Sequence, residues 1–338
     1  MKPRSLVPLL VAIAGAAAVA GCHGRPSVFE PAGPAARDIG RLGAWVIITL
    51  STVTTLMMVL IFKAATRNPG TLEEHAPHDV GGGHRWVQIG GFLIPAIVLF
   101  AIFGAALRSL DRFPLHDGEH YKPDIRVTAR QWWWQVQYLS DSPDKQVTTA
   151  NEIHIPTGWS VEIELESRDV IHSFWVPSLH GKVDLVPGQP NRIRIVADEA
   201  GRYEGQCAEY CGAEHTLMKF AVIAEPLAEY EKWLANEGAP AVHPTDPEGK
   251  HGEELFQAKA CGLCHAVRGT PSMADVGPDL THIAARKGIA ANSYPNARGY
   301  LEAWITHAQS LKPAAEMPDI GMQGDDLHAI THYLEELN

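Results

Sequence analysis

Basic residues and cysteines are both scarce in this chain. Its 338 residues contain 28 lysines and arginines against 39 aspartates and glutamates, giving a formal net charge of −11. This balance argues against nucleic acid or an acidic surface as a partner, because both need a basic patch. No internal repeat stands out, and no βαβ pattern suited to a thioredoxin-like fold is present. With only 5 cysteines, the position of each one carries information.

The N-terminus, residues 1–22, has the pattern of an export signal. Lys2 and Arg4 precede an apolar run from Leu6 to Ala20, and small residues follow before Cys22. The sequence Val-Ala-Gly-Cys at 19–22 resembles the lipobox of bacterial lipoproteins, which predicts lipidation of Cys22. The alternative is an ordinary signal cleaved nearby, which would leave a free thiol.

Residues 23–112 are predicted to form a transmembrane hairpin. Two uninterrupted apolar runs, at about 42–62 and 86–107, are each long enough to cross the ~30 Å hydrocarbon core of a bilayer. If residue 22 lies outside the membrane, two spans return the chain to the outside. Everything after about residue 108 is therefore expected to be extracytoplasmic.

The exported part divides into two domains and a linker. Over 113–226, alternation such as Val161 to Glu166 predicts the half-buried strands of a small β-sandwich. A short helix and a segment rich in proline and glycine occupy 227–250 and are typical of a linker. From 251 to 338 the apolar spacing becomes helical, as in Leu327, Ile330, Leu334 and Leu337.

The helical domain begins with a haem-attachment motif. Cys261-Gly-Leu-Cys264-His265 fits CxxCH, in which two thiols add to the haem vinyl groups and the histidine binds iron. The alternative is a thioredoxin-like redox pair, which would need a βαβ context that the sequence lacks. The motif therefore predicts covalent haem c with His265 as an axial ligand.

The second axial ligand must come from a distant part of the chain. Met317, in LKPAAEMPDI, resembles the Met-Pro element of class I c-type cytochromes, while Met322 and Met273 are alternative sulfur donors. The sequence Gly-Pro-Asp-Leu at 277–280 matches the Gly-Pro-x-Leu turn of that family. The match implies that the Pro278 carbonyl accepts a hydrogen bond from the His265 ring.

The other two cysteines lie in GQCAEYCGAEHTLMKF, residues 205–220. A disulfide between Cys207 and Cys211 would close a very short loop and contribute only about 2 kcal/mol. Two thiols, His215 and Met218 within 12 residues suit copper, whereas structural zinc rarely takes methionine. A further imidazole is expected from elsewhere, and His172 in SRDVIHSFWVPSL is the candidate.

These segments, together with GKVDLVPGQPNR, resemble subunit II of haem-copper cytochrome c oxidases, and the appended haem domain resembles the caa3-type branch. The resemblance covers essentially the whole mature chain. It implies a multidomain membrane protein with a two-helix transmembrane hairpin, an all-β cupredoxin sandwich and an all-α class I cytochrome c domain.

The resemblance also implies the site residues. Cys207 and Cys211 would bridge two coppers of a dinuclear CuA centre, with His172 and His215 each bound to one copper. Met218 and the Glu209 main-chain carbonyl would be weak axial ligands. The Glu209 carboxylate would point toward a magnesium site shared with subunit I, and electrons would enter at Trp132 in the run QWWW.

The implied function is electron transfer within an oxidase of the bacterial cytoplasmic membrane, with both soluble domains on the periplasmic or extracellular side. A cytochrome c or a quinol–cytochrome c reductase complex would supply electrons to haem c. Subunit I would receive them through CuA, reduce oxygen to water and pump protons, with subunit III as a further partner. This chain would contain no catalytic residue. The alternatives are a copper-free quinol oxidase subunit, which would lack these ligands, and a membrane-anchored CuA and haem c relay serving another terminal reductase.

One position departs from the family. Many relatives carry a glutamate, associated with proton uptake, seven residues before the proline of the second span, and counting back from Pro95 gives Gln88. An amide cannot exchange protons as a carboxylate does. Glu73, Glu74 and His84 lie nearby, although a solvated loop is the favoured interpretation of that segment.

Overall fold

The computed structural model describes residues 26–67, 81–110, 124–142 and 145–338. The chain divides into two compact units, one spanning 37–117 and one holding the remainder. Cys22, Glu73 and Glu74 lie outside the described residues, so the lipidation of Cys22 stays a prediction.

The smaller unit is helical and apolar. Helix α1 runs from Pro34–Thr66, α2 from Gly81–Trp86, and a π-helical segment at Val87–Leu93 leads into α3 at Ile94–Leu110. Two stretches, Pro34–Thr66 and Gly83–Leu110, are long and apolar enough to cross a membrane. Both are longer than the predicted spans because the flanking residues continue the helices.

Gln88 lies in the π-helical segment, where its amide Nε2 is 2.9 Å from the His84 Nε2. Such widened turns inside an α-helix are frequent at functional sites.

Ten strands form the predicted sandwich of two five-stranded sheets. One sheet has the order β3-β2-β1-β5-β8 and the other β4-β10-β9-β6-β7. The strands are β1 Ile125–Arg130, β2 Trp133–Tyr138, β3 Val147–Ala150, β4 Glu152–Pro156, β5 Val161–Ser167, β6 His172–Trp175, β7 Val183–Leu185, β8 Asn191–Ile195, β9 Gly201–Cys207 and β10 Lys219–Glu225.

Alternating side chains build the core of the sandwich. On β5, Val161, Ile163 and Leu165 are buried, while Glu164 pairs with Arg126 on the neighbouring strand at 2.7 Å. Trp134 is fully buried between the sheets, where its ring contacts those of Phe174 and Phe220 at centroid distances of 6.0 and 5.0 Å. The predicted period-two pattern is thus the pattern of burial.

The C-terminal part is helical, as predicted. Its helices are α4 Leu227–Glu237, α5 Pro247–Ala258, α6 Arg298–Leu311 and α7 Asp325–Glu336, with a small hairpin of β11 Gly288–Ile289 and β12 Tyr294–Pro295. Helix α5 begins inside the segment interpreted as linker, because the Asp246 carboxylate accepts hydrogen bonds from the Glu248 and Gly249 N–H groups and caps it. Helices α5 and α7 pack together, with the Phe256 and Tyr333 rings 5.8 Å apart.

Candidate copper and haem sites

Three neighbouring strands bring the predicted copper ligands to one end of a sheet. His172 begins β6, and Cys207 ends β9 with Phe174 of β6 as its register partner. Cys211 follows in the next loop, and Met218 directly precedes β10, which pairs with β9. The short 3₁₀ turn His215–Leu217 places the remaining histidine.

The donor atoms of these residues lie close together. The two cysteine sulfurs are 3.7 Å apart, too far for a disulfide, and each faces one histidine. The Nδ1 of His172 is 3.9 Å from the Cys207 Sγ, and the Nδ1 of His215 is 3.7 Å from the Cys211 Sγ. The Met218 Sδ lies 3.9 Å from the Cys211 Sγ. Two thiols, two imidazoles and a thioether thus form one connected cluster of donor atoms.

Burial and hydrogen bonding hold this cluster in place. The Asp169 Oδ1 is 2.7 Å from the Nε2 of the fully buried His172, which orients the other ring nitrogen toward sulfur. Contact between the thiols lowers the pKa of Cys207 and raises that of Cys211, because one proton is shared between them. The pair is thus predisposed to lose a proton and bind a soft cation.

Glu209 offers two groups in different directions. Its main-chain carbonyl lies 3.2 Å from the Cys207 Sγ, within the donor cluster. Its carboxylate is half-exposed and lies 3.4 Å from the Lys182 Nζ. The carbonyl is therefore placed among the copper donors, and the carboxylate faces outward.

The three tryptophans of QWWW have three different environments. Trp134 is in the sandwich core, and Trp133 packs against Ala150 and Ala291. Trp132 is half-buried, and its ring N–H donates to the Cys211 carbonyl at 2.9 Å. Gly212 permits this contact, since its φ is +116° and a Cβ there would lie 2.9 Å from the indole ring.

The predicted haem ligands line a cavity of about 370 Å³ whose wall comes mainly from the cytochrome domain. Cys261, Cys264, His265 and Met317 all contribute to its wall. The His265 Nδ1 is 2.7 Å from the Pro278 carbonyl, which leaves Nε2 for a metal. A side chain at Gly277 would collide with this imidazole, so the glycine permits the close packing. Burial lowers the pKa of His265, which favours the neutral, ligating form.

The two alternative sulfur donors, Met322 and Met273, lie away from the cavity. Met322 is buried in the hydrophobic core, and Met273 is largely exposed. Neither lines the cavity, whereas Met317 does. Its place in the wall agrees with the choice of Met317 from the sequence.

Two site features were not predicted from the sequence. Asp169, the partner of His172, lies three residues before it in the quoted SRDVIH segment, and this proximity was the only available signal. Trp132 and Trp133 line the haem cavity together with Lys312 of the cytochrome domain, although they belong to the sandwich. No sequence motif predicts that contact.

The fold and the two sites define a class. A cupredoxin-like sandwich with two thiols, two imidazoles and a thioether, joined to a helical domain with CxxCH lining a cavity, is an electron-transfer protein with a copper site and a haem site.

Comparison with known proteins identifies the family. Residues 135–225 match the family "Cytochrome C oxidase subunit II, periplasmic domain", and residues 249–338 match the family "Cytochrome c". The cytochrome c oxidase subunit 2 of Alkalihalophilus pseudofirmus is 35% identical over 94% of this chain and 93% of its own. That of Bacillus subtilis is 29% identical over 98% and 96%. The periplasmic domain of subunit II of cytochrome oxidase from Bradyrhizobium japonicum aligns with 26% identity and a TM-score of 0.32, covering 35% of this chain and 96% of that structure.

The chain therefore belongs to the cytochrome c oxidase subunit 2 family. It is subunit II of a haem-copper oxidase with an attached cytochrome c domain, and so one part of an oxidase complex. Membership implies CuA copper in the sandwich and haem c in the cytochrome domain.

Proposed function

We propose that this chain is the electron-transfer subunit of a caa3-type cytochrome c oxidase. It receives electrons at its cytochrome domain and delivers them through its copper domain to subunit I, where oxygen reduction is coupled to proton pumping. The observation that carries the proposal is the position of Trp132, which lines the haem cavity and donates its ring N–H to the carbonyl of Cys211. One side chain thus touches both sites.

The copper ligands are proposed from the family, and the geometry of the donors supports the set. Each thiol faces one imidazole, so Cys207 and Cys211 would hold the copper pair together with His172 and His215. The Met218 sulfur and the Glu209 carbonyl lie in the same cluster and would be weaker donors. When bound, the copper pair would supply one-electron redox chemistry.

The haem would be held by thioether bonds to Cys261 and Cys264, with His265 and Met317 as axial ligands. The hydrogen bond from the His265 ring to the Pro278 carbonyl fixes the tautomer, and a thioether on the other side raises the reduction potential. The copper domain is assigned to 113–226 and the cytochrome domain to 251–338, with 227–250 between them.

The proposed setting is the bacterial cytoplasmic membrane. The two apolar helices form a multi-pass anchor, the soluble domains lie on the periplasmic or extracellular side, and Cys22 is lipidated. Subunits I and III are the partners, and the donor is a cytochrome c or a quinol–cytochrome c reductase complex. The Glu209 carboxylate, which lies 3.4 Å from the Lys182 Nζ, would face a magnesium site shared with subunit I.

Purification of the native complex tests the proposal. We expect subunit I with its haem-copper site to copurify, and the complex to show a mixed-valence dicopper signal beside a low-spin haem c. A complex built around a different terminal reductase would contradict the oxidase assignment. A single copper, or a disulfide in place of copper, would contradict the site.

A further inference from the structure

The sandwich and the cytochrome domain share an interface made of specific hydrogen bonds. The loop after the 3₁₀ turn Ile283–Ala285 lies against the end of the sandwich that carries Asn151. Main-chain groups take part from both sides, which fixes the two surfaces in one register. The contacts include Arg286 Nη2 to Thr149 Oγ1 at 3.0 Å, Lys287 N to Glu152 Oε1 at 3.1 Å, Asn292 Nδ2 to Asn151 O at 2.9 Å and Lys219 N to Ala291 O at 3.2 Å.

Lys312 lies in this interface and is almost completely buried, with 3% of its surface exposed. It follows the last residue of α6 in the cytochrome domain. Its ammonium donates to the Trp132 carbonyl of the sandwich at 2.8 Å and lies 3.4 Å from the Ala290 carbonyl. Burying an ammonium is costly unless its donors are satisfied, so a lysine here is not explained by packing alone.

A carboxylate of the sandwich supplies opposite charge. Glu214 is 3% exposed and sits in the loop that carries the copper donors. Burial lowers the pKa of Lys312 to about 8, and the charge of Glu214 acts in the opposite direction. The lysine is thus held by hydrogen bonds to two carbonyls, with the acidic Glu214 as a further buried group nearby.

Trp132, whose main-chain carbonyl accepts a hydrogen bond from Lys312, is also held by contacts on the copper side. The Trp132 ring N–H and the Gln131 side-chain amide both donate to the Cys211 carbonyl, at 2.9 and 2.7 Å. Trp132 and Lys312 also line the haem cavity. A continuous chain of contacts therefore runs from the cavity wall through Lys312 and Trp132 to Cys211.

We propose that Lys312 is a positioning residue that fastens the cytochrome domain to Trp132 and so fixes the separation between the haem cavity and the copper donors. Its role rests on the proposed electron transfer between these sites. Electron transfer slows steeply as the separation between donor and acceptor grows, so its rate depends on a fixed geometry. Without the lysine, the tryptophan keeps its bond to Cys211 but loses its attachment to the haem domain.

The test uses the full-length chain loaded with haem and copper, and its main variant is Lys312→Met, which removes the ammonium group and keeps an unbranched apolar side chain. Haem would be photoreduced in single turnover, and reoxidation of haem would be followed together with reduction of the dicopper band. We expect the rate to fall severalfold, with both absorption spectra unchanged. Lys250→Met, a change at an exposed lysine of α5, is the matched control and should keep the wild-type rate.

Hydrogen exchange supplies a readout that does not depend on electron transfer. The Lys219 and Lys287 N–H groups bond across the interface, so both should exchange faster in Lys312→Met and not in Lys250→Met. A double-mutant cycle with Trp132→Phe should be non-additive, because both changes interrupt the same chain of contacts.

The outcomes separate the two proposals. An absence of electron transfer in the wild-type protein would refute the proposed function, and hydrogen exchange would still test the role of Lys312. A wild-type rate together with wild-type exchange in Lys312→Met would overturn the assignment of Lys312 alone. If that variant fails to bind either cofactor, Lys312→Gln, which is also uncharged but polar, replaces it under the same criteria.

Discussion

The sandwich and the cytochrome domain hold their proposed ligands in different ways. In the sandwich, the copper donors lie within 3.9 Å of their neighbours and are packed around the fully buried His172. In the cytochrome domain, the four haem ligands are spread over the wall of a cavity of about 370 Å³. We infer from this difference that the packing of the sandwich itself arranges the copper donors, whereas the core of the cytochrome domain is completed by its cofactor.

The lining of the cavity supports this contrast. Apolar side chains such as Leu263, Val276 and Leu301 line its wall, and bound haem would cover them. The copper site has no such requirement, because Trp134 and Phe174 already fill the space beneath it.

Loss of haem attachment should give the largest effect. In the double variant Cys261→Ala and Cys264→Ala, we expect no covalent haem, and a cytochrome domain that is cleaved rapidly in limited proteolysis. The sandwich should keep its mixed-valence dicopper signal in electron paramagnetic resonance. Cys207→Ser is the reciprocal control and should lose the copper signal while keeping the haem spectrum. Loss of both cofactors in either variant would contradict the comparison.

The two methionines near the end of the chain should separate ligation from packing. Met322→Ala removes a buried core side chain and should destabilise the cytochrome domain by about 2–5 kcal/mol, with the haem spectrum unchanged. Met317→Ala should remove the sulfur-ligand signature and lower the reduction potential. Denaturant unfolding and visible spectroscopy of both variants check this. If Met322→Ala abolishes the sulfur signature instead, the axial assignment is wrong.

Asp169→Asn should affect the copper side alone. The carboxylate accepts from the His172 Nε2 at 2.7 Å and also from the Gln131 main-chain N–H, so it orients both a donor and the segment before Trp132. We expect copper affinity to fall by about 10- to 100-fold, measured by competition with a chelator. The haem spectrum is the internal control. An unchanged copper affinity would show that the sandwich core alone fixes the orientation of the His172 imidazole.

The same contrast explains what the sequence could predict. Local motifs predicted Cys261, Cys264 and His265 as haem ligands, and the structure places all three in the wall of one cavity. Apolar runs predicted the two N-terminal helices, and apolar periodicity predicted the sandwich and the helical domain, in the observed order. The start of α5 was missed because Asp246 and Pro247 were taken as linker composition, although an aspartate before a proline is a helix N-terminal signal. Lys312 could not be found, since its partner Trp132 is 180 positions away and an isolated lysine carries no pattern.

The smallest expected effect concerns that N-terminal cap. Hydrogen bonds from the Gly249 and Glu248 N–H groups help to hold the pKa of Asp246 below its ordinary value. A carboxylate with a lowered pKa stabilises the folded state above its unfolded pKa, and this contribution is lost as pH falls through the folded pKa. Asp246→Ala should therefore lower the melting temperature of the cytochrome domain by a few degrees at neutral pH, and the difference should shrink in acid.

Asp246→Asn is the matched control, because asparagine also caps helices but does not titrate. Its melting temperature should stay close to that of the wild type at neutral pH. Thermal unfolding followed at the haem band reports the cytochrome domain, and the dicopper band reports the sandwich in the same sample. A cap that acts on α5 should move the haem transition alone. If both melting temperatures shift equally, the interface around Lys312 makes the two domains unfold as one unit. The two domains would then differ in how they bind their cofactors but not in their stability.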